Sequence, residues 1–504
     1  MVIAAALVIV AAAAALRFWN LGAGIPHNLG QDEPHIINRV LIMMKTGDLN
    51  PHFFEWPSLT MYLNLIVGCV TFLAGAMAGS WRHMDFFPIA ELYLAGRQFT
   101  ALVGTATVVV TFAIGRRWGH GVALTAAALM AVIPHHVRES HYVLTDVPTG
   151  FFVALTLLLS LRAHEQPSLR RLLWAGATAG LAASCKYNGA IAIVMPMVVV
   201  WTSGWTAAIG AGGWSGRFRR TLAVAGVALA AFLAGTPYAI ADLPTFLNDY
   251  AGLAFTFARD RPGDPGWLIY LKHLLGAMSW PALVLTVAGL LVAAWRIISG
   301  PDRVPALVLM TFSLVYFVVM ARSFQIYGRY LVPLFAPLSV MAALAAMTAA
   351  TALGNAFKRR LAAPLAGAAI VVLMLSAPAA SSWVMVRDLS RPSTVDLAYQ
   401  WILANVPANS KVVVESGALW LPEQYQLVVS RSLIDRSLDD YARDGVTYIL
   451  AASPVFQATI RDPFANRDAT VAYRSLLDRA TEIAAFDPSA TVAGPSIRLY
   501  RLPR

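Results

Sequence analysis

The sequence predicts an α-helical protein that crosses a membrane about eleven times and ends in a small soluble domain. Hydrophobic residues make up 58% of the 504 residues and charged residues only 13%, whereas soluble domains carry about 25% charged residues. Apolar runs that reach roughly 20 residues recur to about residue 378, and a helix of that length crosses a hydrocarbon layer of about 30 Å. Hydrocarbon offers backbone groups no other partner, so these runs are predicted to be helices.

The first apolar run is predicted to be a retained helix and not a cleaved signal peptide. No basic residue precedes it, and it continues into Arg17, Phe18 and Trp19, which are typical of an interfacial anchor. The predicted apolar segments are residues 2–22, 58–80, 91–114, 119–135, 147–163, 172–185, 188–203, 221–240, 272–298, 304–321, 331–353 and 361–378.

Basic residues predict the direction of each segment. They cluster at Arg116–Arg117, Arg162–Arg171, Arg217–Arg220, Arg296–Arg303 and Lys358–Arg360, and short cytoplasmic loops are enriched in Lys and Arg. All five clusters share the cytoplasmic side only if residues 58–80 do not cross the membrane. They would then lie along the outer interface or form a re-entrant segment on that side. This gives eleven crossings, a cytoplasmic N-terminus and an outer C-terminal domain. The alternative is that residues 58–80 are an ordinary span.

A change in composition near residue 380 predicts a domain boundary. Residues 396–402 have a helical period, and residues 411–415, 446–450 and 497–502 have the composition of strands. We therefore expect a membrane domain at 1–379 and an extracytoplasmic α/β domain at 380–504. The net charge of +11 lies in short clusters between apolar runs, which indicates cytoplasmic loops and not a nucleic-acid-binding surface.

Acidic residues at outer helix ends are the first candidates for a functional site. Asp32 and Glu33 follow the first helix, and Asp146 precedes another. Acids close to hydrocarbon are costly and usually mark a function, although each position also suits a helix cap. The eleven-crossing topology places Asp32 and Asp146 on the same side of the membrane, whereas a crossing at 58–80 would separate them.

Several motifs, in this order and spacing, resemble the family 39 membrane glycosyltransferases. They are Asp32-Glu33, Glu55-Trp56-Pro57-Ser58-Leu59, Asp146-Val147-Pro148, Lys186-Tyr187-Asn188-Gly189 and Arg329-Tyr330-Leu331-Val332-Pro333. The resemblance covers about residues 1–350. That family has the GT-C fold, with outer juxtamembrane helices, and includes protein O-mannosyltransferases and lipid A aminoarabinose transferases.

The resemblance implies inverting transfer of a sugar from a polyprenyl-phosphate donor at the outer face of the membrane. Asp32 would be the general base or acceptor-orienting acid with Glu33 beside it, and Asp146 the second acid of the site. Lys186 and Arg329 would bind the donor phosphate. Where related sequences carry a lysine, this chain has Glu55-Trp56-Pro57, so Arg322, Arg259 or Arg261 is expected to substitute.

Substrate-pocket candidates adjoin these motifs: His52, His141, Tyr187 and Tyr330. No tight histidine motif for a metal occurs, so the histidines are interpreted as hydrogen-bonding residues, and a divalent cation is left open. The two cysteines, Cys69 and Cys185, lie in apolar stretches and indicate neither a disulfide framework nor a metal cluster.

Two other function classes stay open at this stage. A lipid or solute transporter also has many spans, but such proteins often show internal repeats, and none is evident here. An inactive envelope-assembly scaffold could share the fold. The acceptor could be a protein, a lipid or a glycan. Abundant alanine and arginine with little lysine is typical of a GC-rich bacterial genome, so we expect the protein in a bacterial cytoplasmic membrane.

Overall fold

The computed structural model describes all residues except 31, 203–212, 259–262, 301, 358–361, 416–417, 454, 457–466 and 504. The chain divides into two compact units. The first comprises Met1–Leu21 and His35–Met385, and the second comprises Gly22–Pro34 and Val386–Arg504. We describe each unit by itself.

The first unit is helical, as its apolar composition predicts. Its helices are α1 (Val2–Phe18), α2 (Glu33–Thr46), α3 (Leu59–Met77), α4 (Ile89–Gly115), α5 (His120–Val132), α6 (Pro134–Glu139), α7 (Asp146–Glu165), α8 (Leu169–Cys185), α9 (Val194–Thr202), α10 (Trp214–Gly235), α11 (Tyr238–Ala241), α12 (Leu243–Ala258), α13 (Gly266–Ser299), α14 (Arg303–Ala321), α15 (Val332–Phe357) and α16 (Ala362–Asp388). Short 3₁₀ helices lie at Met84–Phe86, Arg116–Trp118, Tyr187–Ile193 and Gly328–Leu331.

By length and composition, eight of the described helices could span a membrane. They are α3, α4, α7, α10, α13, α14, α15 and α16. Three shorter apolar helical segments, Val2–Phe18, His120–Val132 and Tyr187–Thr202, accompany them. Small residues let neighbouring helices approach closely. At Gly180 in α8, for example, an added Cβ would lie 2.1 Å from the carbonyl oxygen of Ala228 in α10.

The relative direction of α1 and α4 decides the path of the chain between them. Met1 and Val2 line the same groove as Arg116 at one end of the helix bundle. At the other end of the same two helices, Arg97 Nη1 donates to the carbonyl oxygen of Leu21 at 2.9 Å. The two helices are therefore antiparallel, and the connection from 21 to 89 leaves and returns at the same end. This agrees with the expectation that α3 makes no net crossing, despite its span-like length and hydropathy.

Ion pairs bring the basic loops together at the end of the bundle where α1 begins. Arg117 Nε lies 2.9 Å from Glu165 Oε1, and Arg117 Nη2 lies 2.8 Å from Asp302 Oδ1. Arg296 Nη1 lies 2.7 Å from the other oxygen of Asp302. We call this the basic end of the bundle. The ends of α4, α7 and α13 thus share one face, as the charge pattern predicts; Lys358–Arg360 lie outside the described residues.

Helices α7 and α8 are antiparallel and join the two ends of the bundle. Arg171, near the start of α8, donates to the carbonyl oxygen of Gln166 just beyond α7 at 2.8 Å. At the opposite end, Lys186 follows α8 and meets Asp146, the first residue of α7. With α8 counted and α3 left out, the eleven expected crossings correspond to α1, α4, α5, α7, α8, Tyr187–Thr202, α10, α13, α14, α15 and α16.

The connection at 241–271 begins with a helix. Residues Leu243–Ala258 form α12, and the turn-forming residues of this connection come after it, at positions 259–266. The turn after α14 contacts the end of this helix, because the Phe324 amide donates to the carbonyl oxygen of Phe257 at 3.1 Å. Arg259 and Arg261, two candidate phosphate ligands, lie outside the described residues.

The second unit is a five-stranded mixed sheet with helices. Its strands are β1 (Lys411–Glu415), β2 (Gln426–Ser430), β3 (Tyr448–Ala452), β4 (Thr481–Phe486) and β5 (Ile497–Arg501). The order is β2-β1-β3-β5-β4; β1 is parallel to β2 and β3, whereas β5 is antiparallel to β3 and β4. The helices are α17 (Thr394–Asn405), α18 (Leu438–Arg443) and α19 (Arg467–Asp478).

Three strands and one helix of this unit match the predicted elements. The predicted strands correspond to β1, β3 and β5, and the predicted helix to α17; β2 and β4 were not predicted. The C-terminal part of this unit begins at Val386, within the last turn of α16, which continues to Asp388; the composition placed the boundary at 380.

A segment from the N-terminal part of the chain, Gly22–Pro34, packs within the second unit. His27 Nε2 lies 2.7 Å from Asp396 Oδ1, and the His27 ring stacks on Tyr399 with centroids 4.1 Å apart. The Trp420 amide donates to the carbonyl oxygen of His27 at 2.9 Å. Asp396 also caps α17 through Ser393. The segment that carries Asp32 and Glu33 is therefore attached to the C-terminal domain.

Cysteine labelling tests the path of α3. In a Cys69→Ser background, Asp48→Cys and Ser80→Cys should both react with an impermeant maleimide added outside intact cells, because the chain returns to one face of the membrane. Gln166→Cys, at the basic end, should react only after permeabilisation. Labelling of one of the two outer positions without the other would show that α3 crosses.

Hydrogen exchange tests the attachment of Gly22–Pro34. His27→Ala should speed exchange of the Trp420 amide about tenfold, since a hydrogen bond to a charged group contributes ~1.5 kcal/mol or more. His83→Ala, which removes an exposed histidine–carboxylate pair, should leave Trp420 unchanged. The His27 hydrogen bond lowers the pKa of Asp396, so the contact should be fully formed above about pH 4 and weaken as the pH falls below that value. Equal exchange in wild type and His27→Ala would contradict the attachment.

Candidate functional site

Asp146 lies at the centre of a charged cluster opposite the basic end. It is the first residue of α7 and only 3% exposed. A helix N-terminus stabilises negative charge through the helix dipole. A buried carboxylate also needs cationic or hydrogen-bonding partners, and two other segments of the chain supply cations.

Lys186 is the closer of these cations. It ends α8 with an extended backbone, which turns the chain toward α7. Its Nζ lies 2.6 Å from Asp146 Oδ1 and 4.1 Å from the centre of the Tyr330 ring. Lys186 is thus held by a carboxylate and by the face of an aromatic ring.

Arg329 is the second cation and comes from the 3₁₀ helix before α15. Its Nε lies 3.9 Å from Asp146 Oδ2, so the pair is at the outer limit of an ion pair. Its guanidinium lies 4.9 Å from the centre of the Tyr327 ring. Two cations therefore face one carboxylate, and this group of three carries a formal charge of +1.

Glu139 and Arg138 belong to the same electrostatic environment. Glu139 is 3% exposed, and Arg138 Nε donates to its Oε1 at 2.8 Å. Burial raises the pKa of Glu139; the Arg138 charge opposes this rise, and the Asp146 charge adds to it. Sequence reasoning assigned no role to this pair, although its position seven residues before Asp146 could have indicated it.

A hydrogen-bonded chain aligns the Lys186 turn with the Arg329 turn. Asn188 Nδ2 donates to Tyr316 Oη at 2.8 Å, and Tyr316 Oη donates to the carbonyl oxygen of Tyr330 at 2.8 Å. At Gly189, an added Cβ would lie 2.2 Å from the carbonyl oxygen of Ala182, which explains the glycine of the Lys-Tyr-Asn-Gly motif. The positions of both cations thus depend on α8, α14 and α15 together.

Of the predicted pocket residues, the two tyrosines belong to the hydrogen-bonded and packed surroundings of Lys186. Tyr330 contacts Lys186 as described above. Tyr187 Oη donates to the carbonyl oxygen of Phe54 at 2.7 Å. The motif at 55–59 is thereby joined to the Lys186 turn through its neighbour Phe54.

The two predicted histidines lie apart from the Asp146 carboxylate. His52 is exposed, with Nε2 2.9 Å from Asp48 Oδ2 and Nδ1 3.8 Å from Asp242 Oδ2. His141 is buried, its Nδ1 lies 2.8 Å from the carbonyl oxygen of Val137, and burial lowers its pKa to about 4. Among the described residues, no hydrogen bond or ion pair joins either histidine to Asp146. No group of three or more potential metal ligands was found within the described ranges.

A cation that the sequence analysis missed lies near Glu55. Arg39 of α2 has its guanidinium 3.9 Å from the centre of the Phe53 ring. Burial lowers the pKa of Arg39, while the charges of Glu55 and Asp249 oppose this shift. Arg39 stands two helical turns after Asp32, a spacing that could have indicated it. The predicted substitute Arg322 is exposed and directly follows α14.

Asp32 and Glu33 have different surroundings within the second unit. Glu33 is fully buried. Its Oε2 accepts a hydrogen bond from the Gly30 amide at 2.7 Å, and its own amide donates to the carbonyl oxygen of Gly30 at 3.1 Å. Glu33 therefore closes a turn, while Asp32 is a half-buried residue of that turn, directly before α2.

Residues 89–234 match the family described as dolichyl-phosphate-mannose-protein mannosyltransferase. Among curated proteins, dolichyl-phosphate-mannose–protein mannosyltransferase 1 of Saccharomyces cerevisiae is 30% identical over 125 residues. The match covers 23% of this chain and 15% of that relative, so the chain spans a small part of its length.

Solved structures are similar over nearly the whole chain. The oligosaccharyltransferase of Archaeoglobus fulgidus in its apo form matches with a TM-score of 0.60 and 14% identity, over 98% of this chain and 74% of that one. ArnT of Cupriavidus metallidurans bound to undecaprenyl phosphate matches with a TM-score of 0.55 and 16% identity, over 99% and 97%. The chain therefore has the GT-C fold with a C-terminal domain, as its motifs implied. The family match at residues 89–234 agrees with the resemblance of these motifs to family 39.

Proposed function

We propose that this chain is an inverting glycosyltransferase that moves a sugar from a polyprenyl-phosphate donor to an acceptor hydroxyl. The observation that carries the proposal is that Lys186 and Arg329 face the two oxygens of the Asp146 carboxylate. Counted together with the adjacent Arg138 and Glu139, these five side chains carry a formal charge of +1, which favours binding of an anion. The similarity to ArnT, which was solved with undecaprenyl phosphate, supports a polyprenyl phosphate as that anion.

The reaction needs positive charge where the leaving group forms. The acceptor oxygen attacks the anomeric carbon, the bond from that carbon to the phosphate oxygen breaks, and its electron pair stays on the phosphate. Lys186 and Arg329 stabilise this developing anion, and arginine can do so with two parallel hydrogen bonds. The hydrogen-bonded frame around both side chains lowers the cost of reorganisation during the reaction.

The acids take different roles in this proposal. Both oxygens of Asp146 face cations, so Asp146 positions Lys186 and Arg329. The Glu33 carboxylate accepts a hydrogen bond from the backbone of its own turn, so Glu33 shapes the segment. Asp32 is the proposed base that accepts the proton of the acceptor hydroxyl. This role for Asp32 rests on the motif resemblance and on the predicted topology.

The location of the charged cluster favours a transferase over a transporter. Transporters bind substrate near the middle of the membrane, at interrupted helices in matching repeats. Here Asp146, Lys186 and Arg329 all lie at helix ends on one side of the bundle. The basic loops lie at the other end, and the positive-inside rule assigns that end to the cytoplasm. We therefore propose catalysis at the outer face of a bacterial cytoplasmic membrane.

Replacement of Asp32 tests the reaction. Purified Asp32→Asn should transfer radiolabelled sugar from polyprenyl phosphate to envelope acceptors at least about a hundredfold more slowly than wild type, because general-base catalysis contributes roughly 10²–10⁴-fold. Donor affinity should be unchanged. Asp85→Asn, an exposed acid paired with His83, is the control and should stay fully active. Wild-type transfer by Asp32→Asn would remove Asp32 from the mechanism, and no sugar release by intact wild type would oppose the proposed function.

Replacement of Arg329 tests donor binding. Arg329→Gln should weaken binding of a polyprenyl-phosphate sugar about tenfold or more, since a hydrogen bond from arginine to phosphate contributes ~1.5–3 kcal/mol. Titration calorimetry or a fluorescent donor analogue would measure the change. Arg82→Gln, an exposed residue in the outer connection before α4, is the matched control. Equal donor affinity in Arg329→Gln and wild type would contradict the proposed phosphate site.

A further inference from the structure

Two neighbouring grooves open on the surface of α4 near the basic end. The first has a volume of about 610 Å³ and lies between α1 and α4, with Arg116 and His120 at its mouth. The second has a volume of about 500 Å³ and lies between α4 and α7. Val109, Phe112 and Arg116 line both, so α4 forms the ridge between the grooves.

Apolar side chains line the grooves away from their mouths. Ile3 and Leu7 of α1 line the first groove and are 77% and 64% exposed. Leu158 and Leu161 of α7 line the second. From Arg116 to Val109 the grooves follow α4 for two helical turns, or about 10 Å. Each groove is therefore long enough for the half of one hydrocarbon chain that lies nearest the headgroup.

Two exposed arginines lie at the mouths of the grooves. Arg116 lines both grooves and Arg162 lines the second, and both are exposed. Within the part of the chain that the structure describes, neither guanidinium makes a hydrogen bond or ion pair. Their neighbour Arg117 differs, because Glu165 and Asp302 already neutralise it.

The combination of these features fits one class of molecule. A glycerophospholipid has a phosphate at the membrane surface and two hydrocarbon chains below it, which matches two charged mouths above two apolar grooves. Arginine binds phosphate with two parallel hydrogen bonds, and basic pockets between helices at the cytoplasmic side bind anionic headgroups. A zwitterionic headgroup would place its own cation near Arg116 and Arg162.

We propose that these grooves bind an anionic glycerophospholipid, with its phosphate at Arg116 and Arg162 and one chain on each side of α4. The site is separate from the proposed donor site, because Asp146 lies at the opposite end of the bundle. It also joins α1, α4 and α7, the helix that begins with Asp146.

Native mass spectrometry of the full-length protein in detergent tests the proposal with phosphatidylglycerol and phosphatidylcholine as probes. Wild type should retain one phosphatidylglycerol in preference to phosphatidylcholine. Arg116→Gln/Arg162→Gln should weaken phosphatidylglycerol binding roughly 25-fold, or about fivefold per arginine, which corresponds to ~1 kcal/mol each. Arg170→Gln is the matched control, since it removes an exposed charge at the same end but outside both grooves.

Two further measurements separate lipid binding from other causes. Glycerol phosphate has the phosphate without hydrocarbon chains, so at the same concentration it should not displace phosphatidylglycerol. Leu7→Trp should fill the first groove and weaken the binding of phosphatidylglycerol. Sugar transfer by the double variant in neutral detergent should equal that of wild type, which would show that the variant is folded. Equal phosphatidylglycerol binding by the double variant, an equal loss in Arg170→Gln, or full competition by glycerol phosphate would overturn the proposal.

Discussion

The contact between Asp146 and Lys186 is the interaction on which the proposed site depends. A carboxylate that is 3% exposed at the end of a membrane helix is costly without a partner. Lys186 Nζ at 2.6 Å supplies that partner, and Arg329 approaches the other carboxylate oxygen. Three segments far apart in the sequence must therefore meet at one point. Their convergence constrains where α7 begins, where α8 ends and how the chain enters α15.

The surrounding structure holds the two cations in place before any substrate binds. Lys186 adopts an extended backbone directly after α8, and Asn188 and Tyr316 connect its turn to Tyr330. The ring of Tyr330 lies below the ammonium group. Such a preorganised arrangement is what stabilisation of a phosphate leaving group requires, because dipoles and charges that need not move lower the reaction barrier most.

The two ends of the bundle also differ in the arrangement of their charges. At the basic end, Asp302 and Glu165 compensate Arg117 and Arg296, while Arg116 and Arg162 are the residues proposed to bind an anionic lipid. At the opposite end, the cations surround a buried acid. The antiparallel arrangement of α1 and α4 keeps these two ends separate, since it returns the long first connection to the end where Asp146 lies. The directions of the helices and the distribution of charge therefore assign the same residues to each end.

The sequence by itself indicated the helical class, predicted that the basic loops share one end of the bundle, and named Asp146, Lys186 and Arg329 as candidate site residues. These follow from local properties: the length of apolar runs, the positive-inside rule and short motifs around Asp146, Lys186 and Arg329. Only the tertiary structure decided which acid the cations face, that Arg39 lies near Glu55, and that His27 attaches its segment to Asp396. It also revealed β2, β4 and α12. These features depend on contacts between residues distant along the chain, and no local pattern of polarity specifies such contacts.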